Sequence, residues 1–588
     1  MKNNGLEMIR KLMFRLLPIQ VLLAVVGSIN NIVSSYFASN YVGIDAMGAV
    51  GLYAPASMLL GAISTLLVGG CSIICGKYLG QNEHRKLQEV FSLDLLLSTA
   101  VAVLITAAFL FMGVFHLTGI FTQDMNIRPI FDRYLIGQSI GIIPFILGNQ
   151  LPAFLAMENR NRRTMAASIV YIVMNLLLDI LFVQHLQLQE MGLALASSIG
   201  LWVFFIVQLQ YFFSKESQLR LSLDFGTLKR SREVLSVGFP GAASYIYQTA
   251  RGVIVNKLLE INIGTVAISA FAAANNLMGI FWAVPQGMLA VSRLLISISV
   301  GEEDRETLCN IMRVMMRCFL PLMCAIDVLI IIFAGPLSSI FFKDTAGEVY
   351  AMMRMGLQIL PLCMPLSIIM MHFSCYGQSM NRQFYVNVLA LLDGVIGVAG
   401  FSALLIGSMG IRAVYIANVL NGVLTTLFIV AYAVFKLKAF PRNMEELMVL
   451  PDDFGVAENE RIDISIRTVE EVVTVSSRIH DFCRERGIDE RRAYYAALSM
   501  EEMAANVVEH GFVKDNRKHS VDVRVIHKDD QVILRIKDDC VPFDPKEREK
   551  ITDSGDILKN IGIRMIYRIM KDIEYRNVLG LNVLTIRI

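Results

Sequence analysis

Up to about residue 440 the apolar positions form long unbroken runs, and beyond it they break into short alternating and amphipathic stretches. Twelve apolar runs are centred near residues 25, 60, 102, 142, 172, 202, 245, 280, 322, 362, 394 and 424. A helix needs roughly 20 apolar residues to cross a bilayer, so each run predicts one membrane span. After the last run the period changes. The segment "IDISI" alternates as a strand does. "TVEEVVTVSSRIHDFCRERGI" and "DERRAYYAALSMEEMAANVVEHGF" read as amphipathic helices. "SVDVRVIHKDDQVILRIKDD" reads as strand, turn and strand, followed by a loop, the helix "NIGIRMIYRIMKDIEY" and the strand "NVLTIRI". These elements predict a small soluble α+β domain with helices over one face of a mixed sheet. The chain thus divides into a first six-helix lobe (1–220), a second (221–440), a linker (441–459) and a soluble domain (460–588).

Composition agrees with this division. Of 588 residues 55% are hydrophobic and 18% charged, against about 25% charged in an average soluble domain. The mean hydropathy is +0.55. The net charge of +2 singles out no partner class and gives no sign of nucleic-acid binding. Where the charge sits is more telling. The loops "GKYLGQNEHRK", "ENRNRR" and "LDFGTLKRSR" follow runs 2, 4 and 6, whereas "NYVGIDAM" and "QHLQLQEMG" carry few basic residues. Positive loops stay in the cytoplasm. The expected topology therefore puts both termini and the C-terminal domain there, in a multi-pass protein of the cytoplasmic membrane. The acidic loop "GEEDRE" after run 8 is the exception. The N-terminal segment lacks a small-residue cleavage site, so the first run reads as a retained helix. Nine cysteines lie mostly inside apolar runs and read as small packing residues. Cys71 and Cys75 share a helix face, but no second pair or nearby histidine completes a four-ligand site.

The two halves resemble each other. Pro18 matches Pro240, Gly80 matches Gly301 and Asn161 matches Asn381, at offsets of 222, 221 and 220 residues. Six helices per copy means that the copies share orientation about an axis along the membrane normal. Two such bundles facing a central cleft form an alternating-access transporter.

The run "SSYFASNYVGIDAMGAVGL", followed by "GKYLGQNEHRK" and "ENRNRRTMAASIVYIVMNLLLDILF", resembles the MATE (multidrug and toxin extrusion) family over roughly residues 10–437. The resemblance implies export of an organic small molecule across the lipid bilayer, driven by H+ or Na+. Polar groups inside a bilayer are costly and so are functional candidates. They are Asn175 and Asp179, which share a helix face, with Gln248, Arg251, His372 and Asp393; Arg293 and Asp327 lie nearer helix ends. Plainer readings stand beside them: a helix-end polar pair for Asn175 and Asp179, an interhelical bond for Arg251, a satisfied packing group for His372. One departure bears on coupling. Many relatives carry an ion-binding aspartate in the first helix where this chain has Ser34, and Gln248 lies near a glutamate of some sodium-coupled relatives. Neutral groups cannot take up and release a proton near pH 7. Coupling is then expected at Asp179 or Asp393, or is absent.

In the soluble domain, "SMEEMAANVVEHGF" sets Glu502, Asn506 and His510 four apart on one helix face. A carboxylate and an amide one turn apart suit a magnesium–phosphate site; a solvated helix face is the plainer reading. Asp538 ends the strand "ILRIKDD" ahead of "CVPFDP", and Gly562 opens the helix "GIRMIYRIM", whose N-terminus can receive a phosphate. This order resembles the GHKL (histidine kinase/HSP90-like) ATPase superfamily, most of all its anti-sigma-factor serine kinases, over about residues 460–588. The resemblance implies an α+β sandwich that binds ATP and Mg2+. Asn506 would hold magnesium, Glu502 would act as general base, Asp538 would bond the adenine amino group, Gly562 would lie by the phosphates, and His510 would complete the helix motif. Cys540 stands where the family has glycine, and Lys559 and Asn560 where lid glycines are usual. A β-carbon there crowds the nucleotide or stiffens the lid. The chain is expected to be a transporter whose ATP-binding domain regulates transport or phosphorylates a serine on a partner protein. The alternative is a receptor whose transporter fold senses a ligand and controls the kinase module.

Overall fold

The computed structural model describes residues 5–37, 41–42, 44–81, 83–120, 127–220, 228–342, 344–456, 458–512, 519–528, 531–542, 561–570 and 572–588. The first lobe is built from α1 (Gly5–Phe37), α2 (Ile44–Gln81), α3 (His84–Val114), α4 (Ile127–Ser139), α5 (Ile142–Met157), α6 (Asn161–Asp179) and α7 (Gln189–Phe212). The second is built from α8 (Leu228–Asn262), α9 (Thr265–Phe281), α10 (Ala283–Gly301), α11 (Arg305–Val314), α12 (Leu320–Ile332), the short α13 (Ala334–Ser339), α14 (Glu348–Ile359), α15 (Met364–Ser379), α16 (Gln383–Leu391), α17 (Gly397–Met409) and α18 (Ile411–Leu437). Several of these are halves of one interrupted span. Among the described residues nine helices are long and apolar enough to cross a membrane, ten if the pair α4–α5, bent by 42°, counts as one.

The repeat is visible in the element starts. Helices beginning at Ile44, His84 and Ile127 are matched by helices beginning at Thr265, Arg305 and Glu348, each 221 residues later. The fourth span breaks at the same place in both lobes, at Gly141 in one and at the turn Leu360–Cys363 in the other. Pro361 explains the second break, because proline lacks the N–H that would continue the helix.

The lobes meet along α2, α8 and α10, with α1 laid against α10. The approach is close enough that only glycine fits at the crossings. A methyl group at Gly70 would run into the Val234 carbonyl, and one at Gly238 into the Leu66 carbonyl. The repeat-matched Gly80 and Gly301 do the same further along: the first lies against Ile298 O and Glu302 N, the second against the Lys77 backbone. Small residues are how apolar helices gain close packing where no hydrophobic effect drives them together.

The C-terminal domain follows the short α19 (Met444–Leu447). It contains β1 (Arg461–Ile466), α20 (Val469–Glu485), α21 (Glu490–Asn506), β2 (Val521–Lys528), β3 (Gln531–Asp538), α22 (Ile561–Ile569), β4 (Asp572–Val578) and β5 (Leu581–Arg587). Thr468 starts α20 with a capping box to Glu471, and Asp489 caps α21. The sheet order is β1-β2-β3-β5-β4. Every neighbouring pair is antiparallel, which corrects the expected mixed sheet. Two helices between β1 and β2 return the chain reversed, and β5 inserts between β3 and β4, the two strands that run the same way. One face of the sheet carries Val521, Val523, Val525, Leu534, Ile536, Leu584 and Ile586, all buried beneath the helices with Ile479, Met500 and Ile566. Each such side chain contributes about 1.5–3 kcal/mol on burial.

Replacing Gly301 by leucine should therefore lower the thermal unfolding midpoint of the detergent-purified chain, at a cost of about 1–3 kcal/mol. Gly252→Ala is the control: nothing lies within 4 Å of a β-carbon there, and its midpoint should be unchanged or slightly raised.

Candidate functional site

Inside the lobes the polar groups fall into separate sets. Asn175 Nδ2 lies 3.4 Å from Ser197 Oγ. Asp179 is fully buried where α6 widens into the π-turn Ile180–His185, with Tyr134 and Tyr171 as electrostatic neighbours. It does not sit at a solvated helix end. In the second lobe Asp393 lies in another π-turn, Leu392–Ile396. Its Oδ1 accepts from Asn421 Nδ2 at 2.9 Å, and its backbone carbonyl accepts from Arg251 Nη1 at 3.4 Å. π-turns cluster at functional positions. His372 is fully buried with both ring nitrogens engaged, one with Ser292 Oγ at 2.7 Å and one with Ile368 O at 2.8 Å. It is a satisfied packing histidine. Gln248 is exposed on α8. The side chain of Ser34 lies outside the described residues. Asp94, buried in α3 beside Cys71, escaped the sequence reading. An acid inside the apolar run "FSLDLLL" was the available signal.

In the C-terminal domain α21 packs on β3 and α22, bringing the helix motif to the strand end. Glu502 and Asn506 are half-buried. Asn506 Nδ2 donates to the Glu502 carbonyl at 2.6 Å, leaving its amide oxygen as the atom able to ligate a metal. Burial, then the charges of Glu501 and Glu509, push the Glu502 carboxyl above its ordinary value, the direction a general base needs. The last turn of this helix is a π-turn, Val507–Gly511. The extra residue per turn carries His510 off the shared face into solvent, so the four-residue spacing does not hold all three side chains together. Asp538 is buried; its Oδ1 accepts from Asn582 Nδ2 at 2.7 Å and from Cys540 N at 3.0 Å. Burial raises its carboxyl above the ordinary value, partly offset by those bonds. The Cys540 thiol turns toward Gly511, 3.1 Å from where a β-carbon on that glycine would stand. The glycine missing at 540 is balanced by the glycine at 511. Gly562 lies in the first turn of α22. Lys559 and Asn560 lie outside the described residues. Among those described, one group, His519, Asp539 and Cys540, has ligand atoms within 4.8 Å of one another, close enough to share a metal ion.

The other face of the sheet rests on the lobes. Arg524 on β2 stands directly opposite Arg535 on β3, with Lys537 two residues along. Into this basic cluster goes the α10–α11 loop, the acidic "GEEDRE". Lys537 Nζ is 2.7 Å from Glu302 Oε2 and 3.2 Å from Asp304 Oδ2. Arg524 Nη1 is 2.5 Å from Asp304 Oδ1, and Arg535 Nη1 is 3.5 Å from Glu302 Oε2. Burial alone would raise the Asp304 carboxyl, but Arg524 and then Lys537 hold it well below the usual carboxylate range. Glu302 is likewise lowered, by Lys537 and Arg535 against the effect of burial. The first lobe is held by β4 and the β4–β5 turn. Arg576 donates to the Leu79 carbonyl, Glu574 Oε1 meets His84 Nε2 at 2.8 Å, and Asn577 Oδ1 accepts from Asn159 Nδ2 at 2.9 Å. The linker is strapped to the second lobe: Arg305 pairs with Glu445 at 3.1 Å, and Arg382 donates to the Met448 carbonyl at 2.7 Å.

Comparison with known proteins gives the same division. The family model MatE matches residues 20–181 and 240–399, and a model described as histidine kinase-like ATPase domain matches residues 467–588. A probable multidrug resistance protein NorM of Bacillus licheniformis is 27% identical over 218 residues, 35% of this chain and 47% of that protein. The chain thus spans about half the length of that relative. The multidrug export protein MepA of Staphylococcus saprophyticus is 22% identical, covering 64% of this chain and 82% of its own. The crystal structure of the Vibrio cholerae MATE transporter VcmN superposes with a TM-score of 0.69 at 16% identity, over 74% of this chain and 99% of that one. At this identity the likeness speaks for the fold.

Two outcomes follow from the geometry. Asp304→Ala leaves Arg524 and Lys537 short of a buried partner and should weaken docking of the domain by about 3 kcal/mol, seen as faster proteolysis of the linker. Because both acids are depressed when docked, their contribution is present above the ordinary carboxylate values of about 4 and is lost as pH falls through the lowered ones. Linker protection should be flat from neutral pH to about 5 and fall only below about 4. Separately, Gly511→Ala should cost about 1–3 kcal/mol in domain unfolding, and Cys540→Gly should restore it.

Proposed function

The chain belongs to the MatE transporter family, with a histidine kinase-like ATPase domain at its C-terminal end, and from that premise we propose that it exports amphipathic organic solutes by alternating access. The observation that carries this reading is the matched pair of six-span lobes closed on each other through Gly70, Gly238, Gly80 and Gly301. Substrates are taken as multidrug-like organic compounds by analogy with the relatives' names. The positively charged loops favour a cytoplasmic position for both termini and the ATPase domain, in the cell membrane. H+ or Na+ drives the exchange. Asp179 is the residue best suited to couple it, because Asp393 already answers to Arg251 and Asn421. Asn175 lies one helical turn from Asp179.

The C-terminal domain binds ATP with Mg2+ and regulates transport. Its residues fit the nucleotide: a buried carboxylate for the adenine amino group in Asp538, an amide oxygen for magnesium in Asn506, a helix start at Gly562 for the phosphates. Bound ATP would supply the transferable phosphoryl group. Glu502, with its raised carboxyl, would take the proton of a partner serine. A second reading, a ligand-sensing receptor, draws on Ser34 at the usual coupling position and on the docking of the domain against both lobes.

Proteoliposomes loaded with a fluorescent organic cation test the transporter reading. Gradient-dependent efflux is expected from the full chain and should disappear in Asp179→Asn; no flux from either would leave the receptor reading. For the nucleotide site, Asp538→Asn and Asn506→Ala in the full chain should each weaken ATP–Mg binding about 10- to 100-fold.

A further inference from the structure

The strand that ends at the adenine-site carboxylate also grips the membrane lobes. Along β3 the side chains alternate, so Arg535 and Lys537 face the lobes while Leu534, Ile536 and Asp538 face the helices. Lys537 holds Glu302 and Asp304 of the second lobe. Asp538, the next residue, is tied to the first lobe by a row of asparagines. Asn159 Nδ2 donates to Asn577 Oδ1 at 2.9 Å, Asn577 Nδ2 donates to Asn582 Oδ1 at 2.8 Å, and Asn582 Nδ2 donates to Asp538 Oδ1 at 2.7 Å. Every donor points the same way, toward the carboxylate. Tyr575 OH donates to the same Asn582 oxygen at 2.7 Å, which fixes the amide's orientation. Geometry holds the row in place. The turn between β4 and β5 puts Leu579 at φ 55° and Gly580 at φ 89°, a hairpin of the I′ type, and Gly580 rests against Asn159.

Two facts make this row more than packing. It runs from the candidate ligand site across the domain boundary, and the clamp it joins touches both lobes. Access to a site between two lobes requires them to part on one face, and here that face is bridged. The bridge is built to be loosened: it is polar, and a cavity of about 600 Å³ remains between it and the lobes, lined by Met8, Ser299, Asn310, Arg461 and Asp522 among others. We propose that the C-terminal domain is a nucleotide-released clamp on the transporter, with Asn582, Asn577 and Asn159 as the relay between the adenine site and the lobes. The inference rests on the reading of Asp538 as the adenine-binding residue.

The sequence of events is local. An adenine amino group donating to Asp538 turns the carboxylate away from the geometry that holds Asn582. Asn582 then withdraws its hold on Asn577, and Asn577 on Asn159. With the first lobe released, only the ion pairs to Glu302 and Asp304 remain, and the lobes can part. By linkage, docking lowers nucleotide affinity by the same factor as nucleotide weakens docking.

The test is hydrogen exchange on the full chain in lipid nanodiscs, with and without ATP–Mg, alongside ATP affinity measured on the same samples. In the wild type, ATP should speed exchange in the turn at residues 156–163 and the loop at 299–307 on the order of 10-fold. Asn577→Ala should still bind ATP, more tightly than the wild type, but ATP should no longer alter either segment. Asn159→Gly, which keeps the positive φ of 58° without the amide, should behave alike and stands in if the first variant does not fold. Lys537→Ala should free the 299–307 loop with or without ATP. Failure of the wild type to bind ATP overturns the nucleotide reading and the relay with it. ATP binding without any change in exchange, or an unaltered ATP response in both asparagine variants, overturns the relay alone.

Discussion

The burial of Glu302 and Asp304 against Arg524, Arg535 and Lys537 is the contact on which the arrangement of this molecule turns. Neither side of it is comfortable alone. Arg524 and Arg535 are cross-strand neighbours of like charge, a pairing that destabilises a sheet. Glu302 and Asp304 form an equally repulsive pair at the end of a membrane helix. Brought together they neutralise each other, and each side supplies the partner that makes burial of the other tolerable. That contact fixes which face of the sheet meets the lobes. It thereby leaves the opposite face for the helices and the candidate nucleotide site, and sets β4 and its turn on Leu79, His84 and Asn159.

The lobes beneath are organised by a different constraint. Apolar helices in lipid gain little from hydrophobic contact with each other, so close approach must come from small residues. Here the approach is made by Gly70 with Gly238, and by Gly80 with Gly301. The last two are repeat-matched, and Gly301 immediately precedes Glu302. The helix crossing that closes the lobes and the ion pairs that dock the domain therefore share one short segment. Movement of the lobes at that crossing moves the acidic loop, which gives the domain a mechanical hold on transport without any long-range device.

In the candidate nucleotide site the departures from the expected pattern are compensated. Cys540 does not project into empty space but fills the room left by Gly511. His510, which shares the spacing of Glu502 and Asn506, is turned into solvent by the π-turn of the last helical turn. Spacing in a sequence assumes a uniform helix; one extra residue per turn was enough to separate the third member from the other two.

The sequence by itself determined the membrane spans, the two-fold repeat and the order of elements in the C-terminal domain. These are written in local patterns: the length of an apolar run, a period of two or of 3.6, a fixed offset between similar loops. It also marked Glu502, Asn506 and Asp538, since their signals lie within one helix or at one strand end. Tertiary structure alone decided the antiparallel pairing of all five strands, the satisfied partners of His372, the burial of Asp94 and the purpose of the acidic loop that broke the charge pattern of its neighbours. Glu302 finds Lys537 235 residues away, and Asn159 finds Asn577 418 residues away. No period or spacing in one chain links such positions, because the pairing exists only once the sheet has been laid across both lobes.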